Sequence, residues 1–206
     1  LVYYIGDIIL YVTTDPKSPH YETRCTIRDT CSDTLRTLLK KDYDVVYLLG
    51  HSLGSVIAYD ALDELAKDIR LETKGNRDLT EKAVKKLGID KLKGLLTFGS
   101  PLDKVFYFFR TDVSDEQAVR SQLLSYVYSS PKQKSQRDSG SYKFEAYESY
   151  FQNLYWLNLY SSMDIISGHL DFYNVDKQHA MGFWNPFLAH GEYWQSLDFY
   201  KHVNSW

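Results

Sequence analysis

The pentapeptide Gly50-His51-Ser52-Leu53-Gly54 stands where an apolar run hands over to a helical pattern, and this junction constrains the fold more than any other stretch. Upstream, Val45-Val46-Tyr47-Leu48-Leu49 is short, wholly apolar and rich in β-formers, which predicts a strand covered on both faces. Downstream, Val56, Ile57, Tyr59, Ala61, Leu62, Leu65, Ala66 and Ile69 recur at helical spacing. Asp63, Glu64, Lys67, Asp68 and Arg70 occupy the other side. A serine on so sharp a strand-to-helix turn takes a strained backbone conformation and holds its hydroxyl clear of the sheet. Gly50 and Gly54 are expected to be required because side chains there would collide where strand and helix approach. The helix N-terminus aims N–H groups and a partial positive charge at the serine. The pentapeptide reads as a nucleophile elbow.

A serine hydroxyl is a poor nucleophile until a base takes its proton, and a buried carboxylate usually orients that base. After an elbow the partners follow in the chain order Ser, Asp or Glu, His, so the search lies beyond Ser52. Leu92 to Phe98 predicts the next strand, stopped by Gly99 and Pro101. Leu154 to Tyr160 predicts a third, followed by the polar turn Ser161-Ser162-Met163-Asp164. A carboxylate just past the C-terminal end of a parallel strand lies on the edge where α/β folds build their sites. Asp164 is therefore the candidate acid, with Asp171 and Asp176 as alternatives and a simple turn cap as its non-catalytic role. Among the later histidines, His169 is too close to Asp164 to leave room for a strand and loop, and His202 lies on a terminal helical pattern. His190 sits in a loop before the amphipathic stretch Tyr193, Trp194, Leu197, Phe199 and Tyr200, and is the candidate base, with His179 as the alternative. His51 is read as a support for the elbow, and His20 as a surface or packing residue.

With these pieces in order, the chain resembles the α/β-hydrolase superfamily, and more narrowly its bacterial lipase- and esterase-like branch. The resemblance rests on Gly50 to Asp60, on Thr97-Phe98-Gly99-Ser100-Pro101-Leu102, on Trp156 to Leu170 around Asp164, and on Ala189-His190. It implies a three-layer α/β sandwich with a mostly parallel sheet. It also implies a Ser52–His190–Asp164 triad that hydrolyses a carboxylic ester or thioester through an acyl-enzyme, with the Leu53 backbone N–H as one oxyanion donor. The departure is at the front. Such folds often mark their second oxyanion donor with a His-Gly dipeptide, and none precedes Ser52. Losing one such donor costs about 3 kcal/mol of transition-state stabilisation. That motivates a rival reading, a catalytically inactive hydrolase-like binding or regulatory module. Residues 1–12 read as a largely buried helix or irregular segment, and Thr30 to Lys41 as a helix with Leu35, Leu38 and Leu39 on one side. Without earlier strands, the first strand would be an apolar edge. The chain is accordingly expected to be the C-terminal part of a longer protein, or else a minimal hydrolase in which residues 2–12 pair with the elbow strand.

The 206 residues read as one domain with a sizeable core. Against 27 acidic residues stand 24 basic ones, which gives no electrostatic case for nucleic acid. Lys82, Lys85, Lys86, Lys91 and Lys93 read as a solvated face on an insertion from Leu71 to Asp90, where Asp78 and Glu81 are spaced as a capping box. Cys25 and Cys31, if helical, lie about 9 Å apart along the axis, too far to bridge. They read as free thiols of a reducing, cytoplasmic setting. No metal-ligand spacing, P-loop or dinucleotide fingerprint occurs, so neither metal nor cofactor is invoked. No apolar stretch has the length of a membrane span. The polar run Ser129 to Ser141 predicts a loop where these folds insert lids. The aromatic groups at Phe106 to Phe109 and Tyr142 to Phe151 read as core and cap packing, or as an acyl pocket for a lipid-like substrate.

Overall fold

A computed structural model describes residues 6–8, 10–11, 16–74, 76–105, 150–151, 153–171 and 173–205. Strands β1 (Val46–His51), β2 (Leu92–Phe98), β3 (Tyr155–Tyr160) and β4 (Lys177–Ala180) form one all-parallel sheet in the order β1-β2-β3-β4. The first three fall on the hydrophobic runs that predict them. β4 is different: it is an outer strand among the described residues, and Lys-Gln-His-Ala has no apolar run. Backbone pairing to β3 and the Asn158 side-chain amide, which donates to Gln178 Oε1 at 3.2 Å, hold it in place.

Among the described residues, helices with defined bounds are α1 (Tyr21–Lys40), α2 (Leu53–Thr73), α3 (Thr80–Leu87), α4 (Ala189–Glu192) and α5 (Leu197–Asn204). They bury two separate cores, one on each face of the sheet. On one face Leu35 and Leu39 of α1 and Leu62, Leu65 and Ile69 of α2 pack with Leu92, Leu95 and Trp156. On the other, Leu96, Phe98, Leu157 and Leu159 pack with Met181, Tyr193 and Phe199. Each such leucine contributes about 1.5–3 kcal/mol on burial. This is an α/β architecture with helical cover on both sides of a parallel sheet.

α1 starts well before the periodic stretch at Thr30. Its first half has few apolar residues to bury, and it is tied to α2 through Arg24–Asp60 at 3.6 Å and Arg28–Glu64 at 3.9 Å; in the later half Arg36–Asp68 at 2.7 Å does the same. Partly exposed pairs of this kind contribute about 0.2–1 kcal/mol each. Both cysteines lie on α1 and are free.

Three sequence expectations are corrected. β1 is not covered on both faces: Val46 and Leu48 pack into the core, whereas Tyr47 and Leu49 are exposed. Both of its faces are apolar in sequence, so composition could not show which one a helix would cover. β1 is also the outer strand among the described residues, and residues 6–8 and 10–11 are helical rather than paired to it. Tyr11 is buried and donates to Asp60 of α2 at 2.9 Å. Second, α2 runs on through Leu71 to Thr73, which shortens the insertion. Third, the capping box does not form. Asp78 lies in a 3-10 turn (Arg77–Leu79), where its N–H donates to Asn76 Oδ1 at 3.0 Å, and Leu79 takes the N-cap of α3. The extra turn moves the helix start past Asp78, and Glu81 pairs with Lys85 instead, at 2.9 Å.

Ser129 to Ser141, Phe106 to Phe109 and Tyr142 to Tyr147 lie outside the described residues; Phe151 is buried and Tyr150 packs on the first core. Among the described residues no helix is long and apolar enough to cross a membrane.

Candidate active site

Ser52 sits between β1 and α2 with φ 53° and ψ −130°, a left-handed conformation that a residue with a Cβ rarely adopts. Strain of this kind costs on the order of 1–3 kcal/mol and persists only where neighbours over-determine it. Here the Ser52 N–H donates to the Phe98 carbonyl at 3.0 Å, and the Ser52 carbonyl accepts from the Ser55 N–H at 2.9 Å and the Ser55 hydroxyl at 2.5 Å. Ser55 Oγ also lies 2.7 Å from Ser100 Oγ, both side chains being buried, so β1, β2 and α2 are locked around the turn. Ser52 is the N-cap residue of α2, yet its hydroxyl caps nothing. That leaves the oxygen for another partner.

The collision argument holds at one glycine and fails at the other. A Cβ on Gly50 would lie 2.6 Å from Ser55 Cα, so strand and helix touch there through backbone. A Cβ on Gly54 would meet nothing within 4 Å. The close approach is confined to the Gly50–Ser55 contact, and Gly54 is not needed for it.

The partner of Ser52 is His190, whose Nε2 lies 2.8 Å from Ser52 Oγ. His190 belongs to the single-turn helix α4 rather than to a loop. Its Nδ1 lies 3.0 Å and 3.1 Å from the two oxygens of Asp164. With the serine donating to Nε2, Nδ1 carries the proton and donates to the carboxylate. Asp164 follows β3 and is buried, and burial alone would raise its carboxyl. The hydrogen bond and charge of His190, with the backbone N–H groups of Ile166 and Ser167, outweigh burial and hold it below the ordinary carboxylate range. The Ile166 bond is 2.9 Å. The residues that sequence places in these three positions are thus brought together.

Around them stand Tyr193 and Lys104, to which the sequence gives no role at the site, while His51 and Gly99 do more than the sequence assigns them. Tyr193 Oη lies 3.2 Å from Asp164 Oδ2 and 3.2 Å from Ser167 Oγ. Burial pushes its hydroxyl well above the usual tyrosine range, so it remains a proton donor. Lys104 reaches the carbonyls of Ile165 and Ser167 and so braces the loop that carries Asp164. His51 Nε2–H donates to the His190 carbonyl at 2.9 Å, while its ring stacks on Phe98 and on His190, each at 4.9 Å. It therefore supports the base as well as the elbow. Burial lowers the His51 pKa and keeps the ring neutral. Gly99 does more than stop β2: it has φ 59°, and a Cβ there would lie 3.1 Å from the His51 ring and 3.3 Å from His190 Cε1. Tyr193 follows His190 by three residues, one helical turn on; nothing else in the sequence marks it out.

The alternatives lie elsewhere. His179 is on β4, 3.2 Å from Asp198; His169 lies 2.8 Å from Asp171; Asp176 accepts the Trp156 N–H at 2.6 Å. A cavity of about 410 Å³ lined by Tyr47, Lys93, Tyr155 and Lys177 opens near the N-terminal ends of the strands, away from Ser52. Chemically, the arrangement at Ser52 is a hydroxyl, an imidazole and a carboxylate in hydrogen-bonded series, beside Leu53, the first residue of α2. The N–H groups of a first helical turn have no carbonyl partner within the helix. Comparisons with protein-family models, with curated proteins and with solved structures found no match.

Proposed function

We propose that the chain is a serine hydrolase of the α/β-hydrolase type that cleaves a carboxylic ester through an acyl-enzyme on Ser52. The observation that carries this reading is the unbroken series Ser52 Oγ–His190 Nε2 at 2.8 Å and His190 Nδ1–Asp164 at 3.0 Å, supplied by the turn after β1, helix α4 and the loop after β3. As Ser52 Oγ attacks the carbonyl carbon, His190 Nε2 takes its proton. Asp164 fixes the tautomer and stabilises the imidazolium that forms. The oxyanion is met by the Leu53 N–H and the positive end of α2. Collapse expels the alcohol, which takes the proton from His190, and water then repeats the cycle on the ester of Ser52.

An apolar, lipid-like ester is favoured by the exposed side chains next to the acid and the base. Met163 and Ile165 flank Asp164 in the chain, and Trp184, Phe187 and Leu188 precede His190; all five are exposed. A fluorophosphonate probe tests the reading directly. Labelling of the folded chain that disappears in Ser52→Ala, together with turnover of p-nitrophenyl acyl esters that disappears with it, is the expected result. A folded chain that stays unlabelled and inert belongs to the rival, the inactive hydrolase-like module.

A further inference from the structure

We propose that His179, Asp198 and His202 form a binding site for a divalent transition-metal ion of the zinc type, separate from Ser52. Each residue offers one ligand atom, and the three atoms lie within 4.8 Å of one another. In tetrahedral zinc coordination with bonds of about 2.0–2.1 Å, neighbouring donors sit about 3.4 Å apart. His179 Nε2 and Asp198 Oδ2 already stand at 3.2 Å. The rings of His179 and His202 are 4.4 Å apart between centroids, so a small rotation of side chains that are not fully buried closes the third corner.

The backbone under the site is fixed. Asp198 and His202 are four residues apart on α5, one helical turn, and so share a face. Phe199 between them is buried against Phe98, with ring centroids 4.7 Å apart, which anchors α5 to the sheet. His179 is held in register by its pairing with Leu159. The ion would join β4, an outer strand among the described residues, to α5 on one face of the sheet. Two imidazoles and one carboxylate select zinc, cobalt or nickel over magnesium and calcium, which prefer all-oxygen sites. The side chains of His179 and Asp198 are partly open to solvent, which leaves the remaining coordination positions to water. Lys177 and Lys201 lie close enough to act on His202, so they oppose the ion and moderate its affinity.

The proposal is independent of the hydrolase reading. Its test is titration of the untagged, chelator-treated full chain with Zn²⁺ by calorimetry, and with Co²⁺ by visible absorption. One equivalent at micromolar affinity is expected, with tetrahedral cobalt bands, a zinc-dependent rise in melting temperature that chelator reverses, and no response to Mg²⁺. His202→Ala and His179→Ala should each weaken zinc binding at least about tenfold, since even partners outside the ligand shell cost 10–100-fold. His169→Ala should change nothing. Wild-type protein that takes up no zinc overturns the site. So does uptake that survives both His179→Ala and His202→Ala, and uptake abolished instead by His190→Ala would move the ion to the Ser52 cluster. Should either alanine variant fail to fold, His202→Gln and the zinc-dependent melting shift of wild type decide the matter.

Discussion

Among the described residues three histidine–aspartate pairs occur, and their lengths rank them in the wrong order. His169–Asp171 is the shortest at 2.8 Å, His190–Asp164 follows at 3.0 Å and His179–Asp198 at 3.2 Å. Exposure separates them instead: the side chains of His190 and Asp164 are 12% and 1% exposed, against 37% and 49% for His179–Asp198 and 47% and 71% for His169–Asp171. Only in the first pair are both carboxylate oxygens approached by further donors, from Tyr193 and the Ile166 backbone, and only there does the second ring nitrogen meet a hydroxyl. A histidine and a carboxylate in contact are common. Burial and additional partners give one such pair a fixed geometry and a strong field.

The widest separation between the pairs is expected in turnover. His190→Ala should lower ester hydrolysis by roughly 10⁶-fold, as Ser52→Ala should, because members of such a unit fail together. His179→Ala and His169→Ala should leave the rate within about twofold, in keeping with surface substitutions away from a site. A loss in His179→Ala comparable to that in His190→Ala would break the distinction drawn from burial.

Next in size is Asp164→Asn, expected to cost about 10⁴-fold in kcat by stabilising the wrong tautomer of His190. This variant also carries a pH signature. The folded-state pKa of Asp164 is depressed, so its contribution to stability is fully present above the unfolded value of about 3.9 and is lost as pH falls through the lower folded value. Unfolding midpoints of wild type and Asp164→Asn should therefore differ near neutrality and converge in strong acid. A difference that stays constant down through that range would mean that the carboxylate is not stabilised in its charged form.

Tyr193→Phe should have a smaller effect. It removes one donor from a charged, buried carboxylate, a hydrogen bond contributing about 1.5–3 kcal/mol. A rate loss of roughly tenfold to a hundredfold with KM little changed is expected, measured at substrate concentrations spanning KM.

How much of this was legible in sequence follows from what each residue does. Ser52 and Asp164 follow strand ends and His190 lies in a single helical turn, places where hydrophobic periodicity breaks and a polar residue is conspicuous. β2 was legible for the same reason, being an apolar run bounded by Gly99 and Pro101. Tyr193, Lys104 and Gly99 were not, because their roles depend on distant neighbours: a tyrosine in an aromatic stretch reads as core until Asp164 is placed against its hydroxyl. β4 lacks an apolar run, and the first half of α1 is held by ion pairs to α2 rather than by a stripe of leucines. The exposed face of β1 is not legible in sequence because composition records that Tyr47 and Leu49 are apolar, not whether a helix lies over them.

The smallest effects separate the two glycines of the pentapeptide. Gly50→Ala drives a Cβ to 2.6 Å from the Ser55 backbone, where no side chain can swing aside, and overpacking of this kind costs about 1–3 kcal/mol. Gly54 lies near the start of α2 with open space where its Cβ would point. Alanine there replaces the most flexible residue of a helix with the best helix former, a gain of up to about 1 kcal/mol. Gly50→Ala should accordingly lower the midpoint of thermal unfolding and Gly54→Ala should leave it unchanged or raise it. If both lower it equally, strand and helix meet along a longer front than the single contact between Gly50 and Ser55. If neither does, the strained backbone of Ser52 is held by its hydrogen bonds to Phe98 and Ser55 alone.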